Sequence, residues 1–386
     1  MSHRNASTRT PSRAGRLTAV ALSVLATVAV PAAPAAAGER GTGIQQSLDA
    51  LVRRDHFPAA LASIRTADGR VRDFRAGVAQ LGHQQKPPVD GQVRIGSNTK
   101  TFVAVVVLQL VAEGKVRLDA PVDTYLPGLL RGDGIDGRQI TVRHLLQHTS
   151  GLPDYTEFLA DDISSVLDAY VEPRELLDTA LAEKALFAPG DRHGYSNTNY
   201  IVAGLLVQKV TRRPLGEEIT RRVIDRIGLR HTYFPAAGEQ RIRERHPHGY
   251  LIEENGELVL DATELDSSAA WAAGAIVSTP SDLNRFLAAL LGGELLPAAQ
   301  LAEMRTTVAA DADSRYGLGL SSRPLSCGGV YWGHGGTIPG YQTRTAITED
   351  GRAVSIAATA MAPTPAAKAN IAAAVDAALC QGNGQR

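Results

Sequence analysis

Ser97 and Lys100 stand three residues apart in Ser97-Asn98-Thr99-Lys100, immediately before Phe102–Glu113, the most apolar helical run of the chain. The chain has six lysines against 34 arginines, and only Lys100 has a serine three places before it. Residues at i and i+3 share one face of a helix, so the hydroxyl and the amine are within reach of each other. A serine opening a helix sits at the positive end of its dipole. A lysine at the mouth of a buried helix loses hydration and meets partial charge of its own sign. Both effects lower its pKa, leaving an amine able to take a proton from the serine. The other reading of the same tetrapeptide is an N-cap serine beside a surface lysine.

Two further segments have residue types that suit a ligand site. Pro189-Gly190-Asp191-Arg192-His193-Gly194-Tyr195-Ser196-Asn197 opens a second apolar helix, so Tyr195 and Asn197 stand at its start. A phenol beside a lysine ammonium is expected to have a lowered pKa and to serve as a base. The Asn197 carboxamide can donate to a carbonyl, and the alternative for both residues is a helix-capping turn. Trp332-Gly333-His334-Gly335-Gly336-Thr337 is a glycine-dense strand that lets another backbone come close, as an extended substrate would. Its N–H near Thr337, with that of Ser97, would make an oxyanion hole, against the plainer reading of a glycine-rich turn.

Other chemistries fit less well. His144 and His148 stand at i, i+4, a metalloprotease spacing, but Leu145 occupies the place of the required glutamate. No Gly-x-Ser-x-Gly pentapeptide of the lipase kind occurs. No metal and no cofactor are expected.

The elements that must hold these residues fall into two groups. At the start, a helical pattern over Gln45–Arg54 precedes strands at Ala59–Ile64 and Val71–Val78 around Asp68-Gly69. At the end, strands at Tyr341–Thr348 and Ala353–Thr359 flank Glu349-Asp350-Gly351, and Ala366–Leu379 reads as a closing helix. Between them lie helical stretches at Phe102–Glu113, Ser165–Lys184, Tyr200–Thr211 and Pro280–Leu291. The expected fold is α+β, an α/β/α sandwich. One antiparallel sheet is built from both chain termini and flanked by the terminal helices. Residues 38–104 and 301–386 would form that sheet domain, and residues 105–300 a mostly helical inserted lobe.

The 386 residues carry 40 basic and 40 acidic side chains, which leaves no nucleic-acid footprint. Residues 1–37 contain Arg4, Arg9, Arg13 and Arg16 and no acid, so the remainder holds 36 basic against 40 acidic groups. An Arg-bearing opening, the apolar run Leu17–Val30 and Ala35-Ala36-Ala37 follow the order of a secretory signal peptide, with cleavage near Ala37. The run is shorter than the ~20 residues of a membrane span. A secreted protein with no stable membrane span is expected. An oxidising compartment favours pairing Cys327 with Cys380. Closing that loop is worth roughly 4 kcal/mol in the chain-entropy model.

The three segments together resemble the penicillin-recognising serine hydrolases: DD-carboxypeptidases, class C β-lactamases and their esterase relatives. The family's Ser-x-x-Lys, Tyr-x-Asn and Lys/His-Thr-Gly elements correspond here to Ser97–Lys100, Tyr195–Asn197 and His334–Gly336. The likeness continues through Leu145–Leu152 and Ala273–Thr279. Val122–Leu130, Tyr316–Leu320 and both cysteines add a particular likeness to the secreted actinomycete D-alanyl-D-alanine carboxypeptidases. The resemblance implies acylation of Ser97, proton handling by Lys100 and Tyr195, and amide binding by Asn197. It makes His334 the cation of the third element, Gly335 and Gly336 substrate-binding residues, and sets Thr337 beside the acyl carbonyl and leaving group.

Two positions depart from that pattern. Gly335 stands where the family has a threonine, and Ser321 where the actinomycete carboxypeptidases have a carboxylate-binding arginine. Arg323 and Arg344 are the candidates to replace it. The expected function is a D-alanyl-D-alanine carboxypeptidase-like peptidase acting on D-amino peptides. The alternatives are a β-lactamase, an esterase or D-amidase, or a binding protein that captures β-lactam or wall peptide without turnover. The implied partners are a small peptide or peptidoglycan-derived substrate and β-lactams, and a monomer is expected.

Overall fold

The computed structural model describes residues 36–159 and 167–381. The signal-peptide reading of residues 1–37 therefore falls almost entirely outside the described residues, as does the beginning of the expected helix Ser165–Lys184.

An eight-stranded antiparallel sheet organises the chain. Its strands are β1 (Ala59–Arg65), β2 (Val71–Gly77), β3 (Val308–Asp311), β4 (Ser314–Tyr316), β5 (Ser321–Pro324), β6 (Val330–Ile338), β7 (Tyr341–Thr348) and β8 (Ala353–Ala358). Across the sheet they run β2-β1-β8-β7-β6-β5-β4-β3. The start of the chain thus meets its end in the register Ala60↔Ala358 to Arg65↔Ala353. The hairpins turn where the sequence places glycine, at Gly69 (φ +85°) and Gly351 (φ +83°). An L-side chain seldom adopts such angles.

Five helices matter most to the sheet and to what lies beside it: α1 (Ala36–Arg54), α2 (Thr99–Ala112), α3 (Thr198–Thr211), α4 (Pro280–Leu291) and α5 (Pro365–Cys380). Helices α1 and α5 cover one face of the sheet, where Leu48, Leu51, Ile356, Ile371, Val375 and Leu379 form an apolar layer. The start of α5 is set by Thr364, whose hydroxyl accepts from the Ala367 N–H, with Pro365 in the first turn. Cys327 and Cys380 form a disulfide that ties the β5–β6 turn to the end of α5.

The opposite face carries α4. The sequence reading gives this helix to the inserted lobe, yet it lies on the sheet. Asn284 donates to the Ser63 carbonyl at 2.9 Å and accepts from Ser355 at 2.8 Å. Phe286 stacks on Phe102 with ring centroids 3.8 Å apart. Helix α2 runs behind it, every residue from Thr99 to Leu110 buried, as an all-round apolar helix requires. Where the sequence suggests a helix over Ser165–Lys184, the described part is Pro173–Leu181. Pro173 fixes the start, because the residue before a proline is biased away from helical angles. Among the described residues, no helix is long and apolar enough to cross a membrane.

Candidate active site

Ser97 lies on a single 3-10 turn, Gly96–Asn98, that leads directly into α2. Two glycines bring this turn against β6. Gly96 has φ +50°, and a Cβ there would lie 2.8 Å from the Thr337 nitrogen. A Cβ on Gly336 would lie 1.9 Å from the Ile95 carbonyl oxygen. The glycine-dense strand does admit another backbone, as the sequence suggests, but at Gly336 the visitor is the protein's own Ile95 and not a substrate. Asn98 fastens the turn to β7 by donating to Thr343 Oγ1 at 2.7 Å and accepting from Thr345 Oγ1 at 2.9 Å.

Lys100 is 0% exposed. Its Nζ is 2.8 Å from Ser97 Oγ, 2.7 Å from Asn197 Oδ1 and 2.8 Å from the Ala273 carbonyl oxygen. A neutral amine has two N–H donors and one lone pair. Two of its three partners only accept, and the third, the serine hydroxyl, can donate. The three partners match the three donors of an ammonium, and they equally serve a neutral amine that donates to Asn197 and Ala273 and turns its lone pair to the Ser97 proton. Burial pulls the Lys100 pKa down to about 7, with the charge of Asp154 opposing the shift.

Asn197 is held by Asp154. Its Nδ2 donates to Asp154 Oδ2 at 2.8 Å and its backbone N–H to the same oxygen at 3.1 Å. A carboxylate only accepts, so the amide nitrogen must face Asp154 and the amide oxygen Lys100. Asp154, 8% exposed, is further bound by the Thr156 N–H and hydroxyl.

Tyr195 shares a hydrogen bond with Ser97, and its ring centroid is 5.0 Å from Lys100 Nζ. The lowered phenol pKa expected from the sequence is not found. Loss of water around the hydroxyl raises it, with the Ser97 hydrogen bond working the other way. The residue is still 41% exposed, which limits the penalty. Burial outweighs the Ser97 hydrogen bond, so Tyr195 stays protonated near neutrality.

His334 departs further from expectation. It is buried, its Nδ1 donates to the Gly335 carbonyl, and its Nε2 is 2.8 Å from the Tyr316 hydroxyl. Burial first, then the Lys100 charge, bring its pKa to about 3. The implied third-element cation is therefore a neutral imidazole here. His148 is also buried and neutral, and its Nδ1 lies 3.3 Å from the Ser196 N–H and 3.2 Å from Asn199 Nδ2. Its ring stands 4.2 Å from that of Tyr195. His144 sits at the start of the helix Val142–Leu146, its Nδ1 accepting from the Thr141 N–H, while His148 lies beyond that helix with φ +56°. The two histidines are not a ligand pair on one helical face.

At the outer end of the site, Ser321 donates to the Gly333 carbonyl at 2.7 Å and Arg323 pairs with Asp311 at 3.0 Å. Arg344 is the cross-strand partner of Gly335. A Cβ on Gly335 would be 3.7 Å from the Arg344 Cζ, an ordinary contact, so the guanidinium borders the place a threonine side chain would take. Among the described residues, no carboxylate pairs with Arg344, which hydrogen-bonds Tyr331 instead. Thr337 is exposed beside the Ser97 turn.

The structure thus gathers Ser97, Lys100, Tyr195, Asn197 and His334 in one cluster, with Gly336 and Thr337 beside it. It sets Arg323 apart in an ion pair. Sequence reading missed Asp154, and it gave no role at this site to His148, weighed only as a metal ligand, or to Tyr316. Asp154 and His148 lie in or just after the segment Leu145–Leu152, whose polar residues were the available signal. Tyr316 opens the Tyr-Gly-Leu-Gly-Leu segment.

Comparison with known proteins places this geometry in context. A family model described as Beta-lactamase matches residues 44–379. A D-stereospecific amidohydrolase from Streptomyces sp. is 37% identical, with a TM-score of 0.79 over 86% of this chain and 98% of that one. The D-amino acid amidase from Ochrobactrum anthropi SV3 is 27% identical, with a TM-score of 0.80 over 90% of this chain and 99% of that one. Penicillin-binding protein 4 of Amycolatopsis lactamdurans is 27% identical over 316 residues, 77% of each chain. Other relatives are longer: the match spans 60% of a Bacillus subtilis penicillin-binding homologue and 38% of the Staphylococcus aureus protein flp.

Proposed function

This chain belongs to the beta-lactamase family and is a serine hydrolase of the penicillin-binding type, and we propose that it cleaves amide and peptide bonds formed by D-amino acids through an acyl-enzyme on Ser97. The observation that carries this reading is the enclosed contact of 2.8 Å between Lys100 Nζ and Ser97 Oγ, with the two other Lys100 partners acceptors only.

In the first half-reaction neutral Lys100 takes the Ser97 proton as Oγ attacks the acyl carbonyl. The backbone N–H groups of Ser97 and Thr337 steady the oxyanion, an arrangement supported by the close approach of Gly96 to Thr337. The C–N bond breaks, and the leaving nitrogen takes a proton passed from the Lys100 ammonium through the Tyr195 hydroxyl. In the second half-reaction water gives its proton to the same pair and its oxygen to the ester, releasing the acid and restoring Ser97. Asn197 and the edge of β6 hold the substrate amide.

The substrate class rests on the 37% identical D-stereospecific amidohydrolase and on the outer end of the site. The hydroxyl of Ser321 is taken up by Gly333, Arg323 by Asp311, and His334 is neutral. Such an end suits an uncharged leaving group, as in a D-amino acid amide. A D-alanyl-D-alanine carboxypeptidase is the second reading, favoured by one feature: the Arg344 guanidinium bordering Gly335. We further propose secretion after removal of the leader near Ala37, and a monomeric enzyme.

Ser97→Ala tests the mechanism. Turnover of D-phenylalanine amide and of a D-Ala-D-Ala peptide should both fall by roughly 10⁴-fold or more. Intact mass after mixing with penicillin should show an adduct or consumption that depends on Ser97. Retention of most hydrolysis by the alanine variant defeats the proposal, and the ratio of the two substrates in the wild type decides between the readings.

A further inference from the structure

The serine–lysine pair and its asparagine leave Asp154 unassigned, although it is a buried carboxylate one residue removed from the amine. We propose that Asp154 is a positioning residue: acting through Asn197, it fixes which end of the carboxamide faces Lys100, and its charge sets the pH at which the serine–lysine pair begins to work. The inference rests on the serine hydrolase reading above and deepens it.

Geometry carries the positioning role. Asp154 Oδ2 receives both the Asn197 side-chain N–H at 2.8 Å and its backbone N–H at 3.1 Å, and Asn197 Oδ1 accepts from Lys100 at 2.7 Å. Without an obligate acceptor at that place, the carboxamide is free to turn over. Its NH₂ would then point a donor at an amine whose remaining lone pair belongs to Ser97.

The electrostatic role comes from the other groups around Lys100. The titratable groups facing it are Tyr195 and Tyr200, whose rings lie 5.0 and 5.6 Å from Nζ, together with His148, His334 and Asp154. Both phenols are pushed up and both imidazoles down, so all four are uncharged near neutrality. Asp154 is the charged neighbour that acts on Lys100 among the described residues. A negative charge favours the ammonium, so removing it makes the amine available at lower pH.

The experiment is the pH profile of kcat/KM for D-phenylalanine amide with the wild type, Asp154→Asn and Asp154→Glu. The wild type should rise tenfold per pH unit below about 7 and then level. In Asp154→Asn the plateau should fall and the acid limb should move down by about one pH unit. A plateau that falls with the limb unmoved overturns the proposal, because loss of packing alone would do that. Asp154→Glu keeps the charge and displaces the amide, so its limb should stay in place while its plateau drops. A limb displaced downward in that variant also overturns the proposal, and this second test stands if the asparagine variant does not fold. Failure of the underlying reading looks different: wild-type protein would show no Ser97-dependent turnover at any pH.

Discussion

Strands β6 to β8 have two faces, and they are built on different principles. Towards α2 and α4 they present His334, Thr343, Thr345 and Ser355, all buried and all hydrogen-bonded to named partners. Towards α1 and α5 the same strands present Tyr331, Ala346, Val354 and Ile356 to a hydrocarbon layer. Alternation along a strand makes this possible, since neighbours point to opposite sides. The apolar face holds the terminal helices by non-directional burial, which tolerates small changes of shape. The polar face holds the Ser97 turn by bonds with direction, which do not.

Among changes that bear on this contrast, the largest effect should come from Gly336→Ala, where the new methyl meets the Ile95 carbonyl oxygen at 1.9 Å. The turn bearing Ser97 must shift, and kcat/KM should drop by roughly 10²-fold or more while the far-ultraviolet circular dichroism stays native. Unchanged kcat/KM would break the contrast between the faces.

A matched pair sharpens it. Thr345→Val removes the hydroxyl that donates to Asn98 Oδ1 and leaves a buried acceptor unmet. Unfolding in urea should show a loss of about 1–3 kcal/mol, together with lower activity. On the other face Ile356→Val should cost about 0.5–1.5 kcal/mol with kcat/KM at the wild-type value. Equal activity losses in the two variants would argue that the sheet responds as one body.

Arg323→Ala should change least. Its partner Asp311 is mostly open to water, so the pair is worth about 0–1 kcal/mol. Hydrolysis of an uncharged D-amide should stay within a few-fold of wild type. A large selective loss on a D-Ala-D-Ala peptide would transfer the carboxylate role from Arg344 to Arg323.

The sequence makes legible what is local. Ser97 and Lys100 are three residues apart, Tyr195 and Asn197 two, and each pair sits at a helix start that periodicity reveals. The terminal strands and helices alternate or repeat clearly enough to suggest the sheet and its cover. Asp154 stays hidden because its contact with Lys100 runs through Asn197, 43 residues away along the chain. The neutrality of His334 comes from its burial and from the nearby Lys100, neither of which its own motif announces. Sequence alone assigns helix α4 to the lobe, because only Asn284, reaching Ser63 and Ser355, shows which surface it covers. Strands β3 and β4 are short and broken by a register shift at Ser314/Arg315, so no alternating run marks them.

The pairing of β1 with β8 also bears on how the molecule comes to be. Ala60 must find Ala358, and the Ala59 N–H must find the Thr359 hydroxyl across 300 residues. Contacts of such sequence separation delay folding, because chain closure is lost before any pairing is gained. During synthesis the β1–β2 hairpin emerges early with β1 as an open edge, and its partner arrives only with the last strands. Until then that edge is a template for the wrong neighbour. The sheet that gives the finished enzyme its frame is therefore its most exposed liability while the chain is still being made.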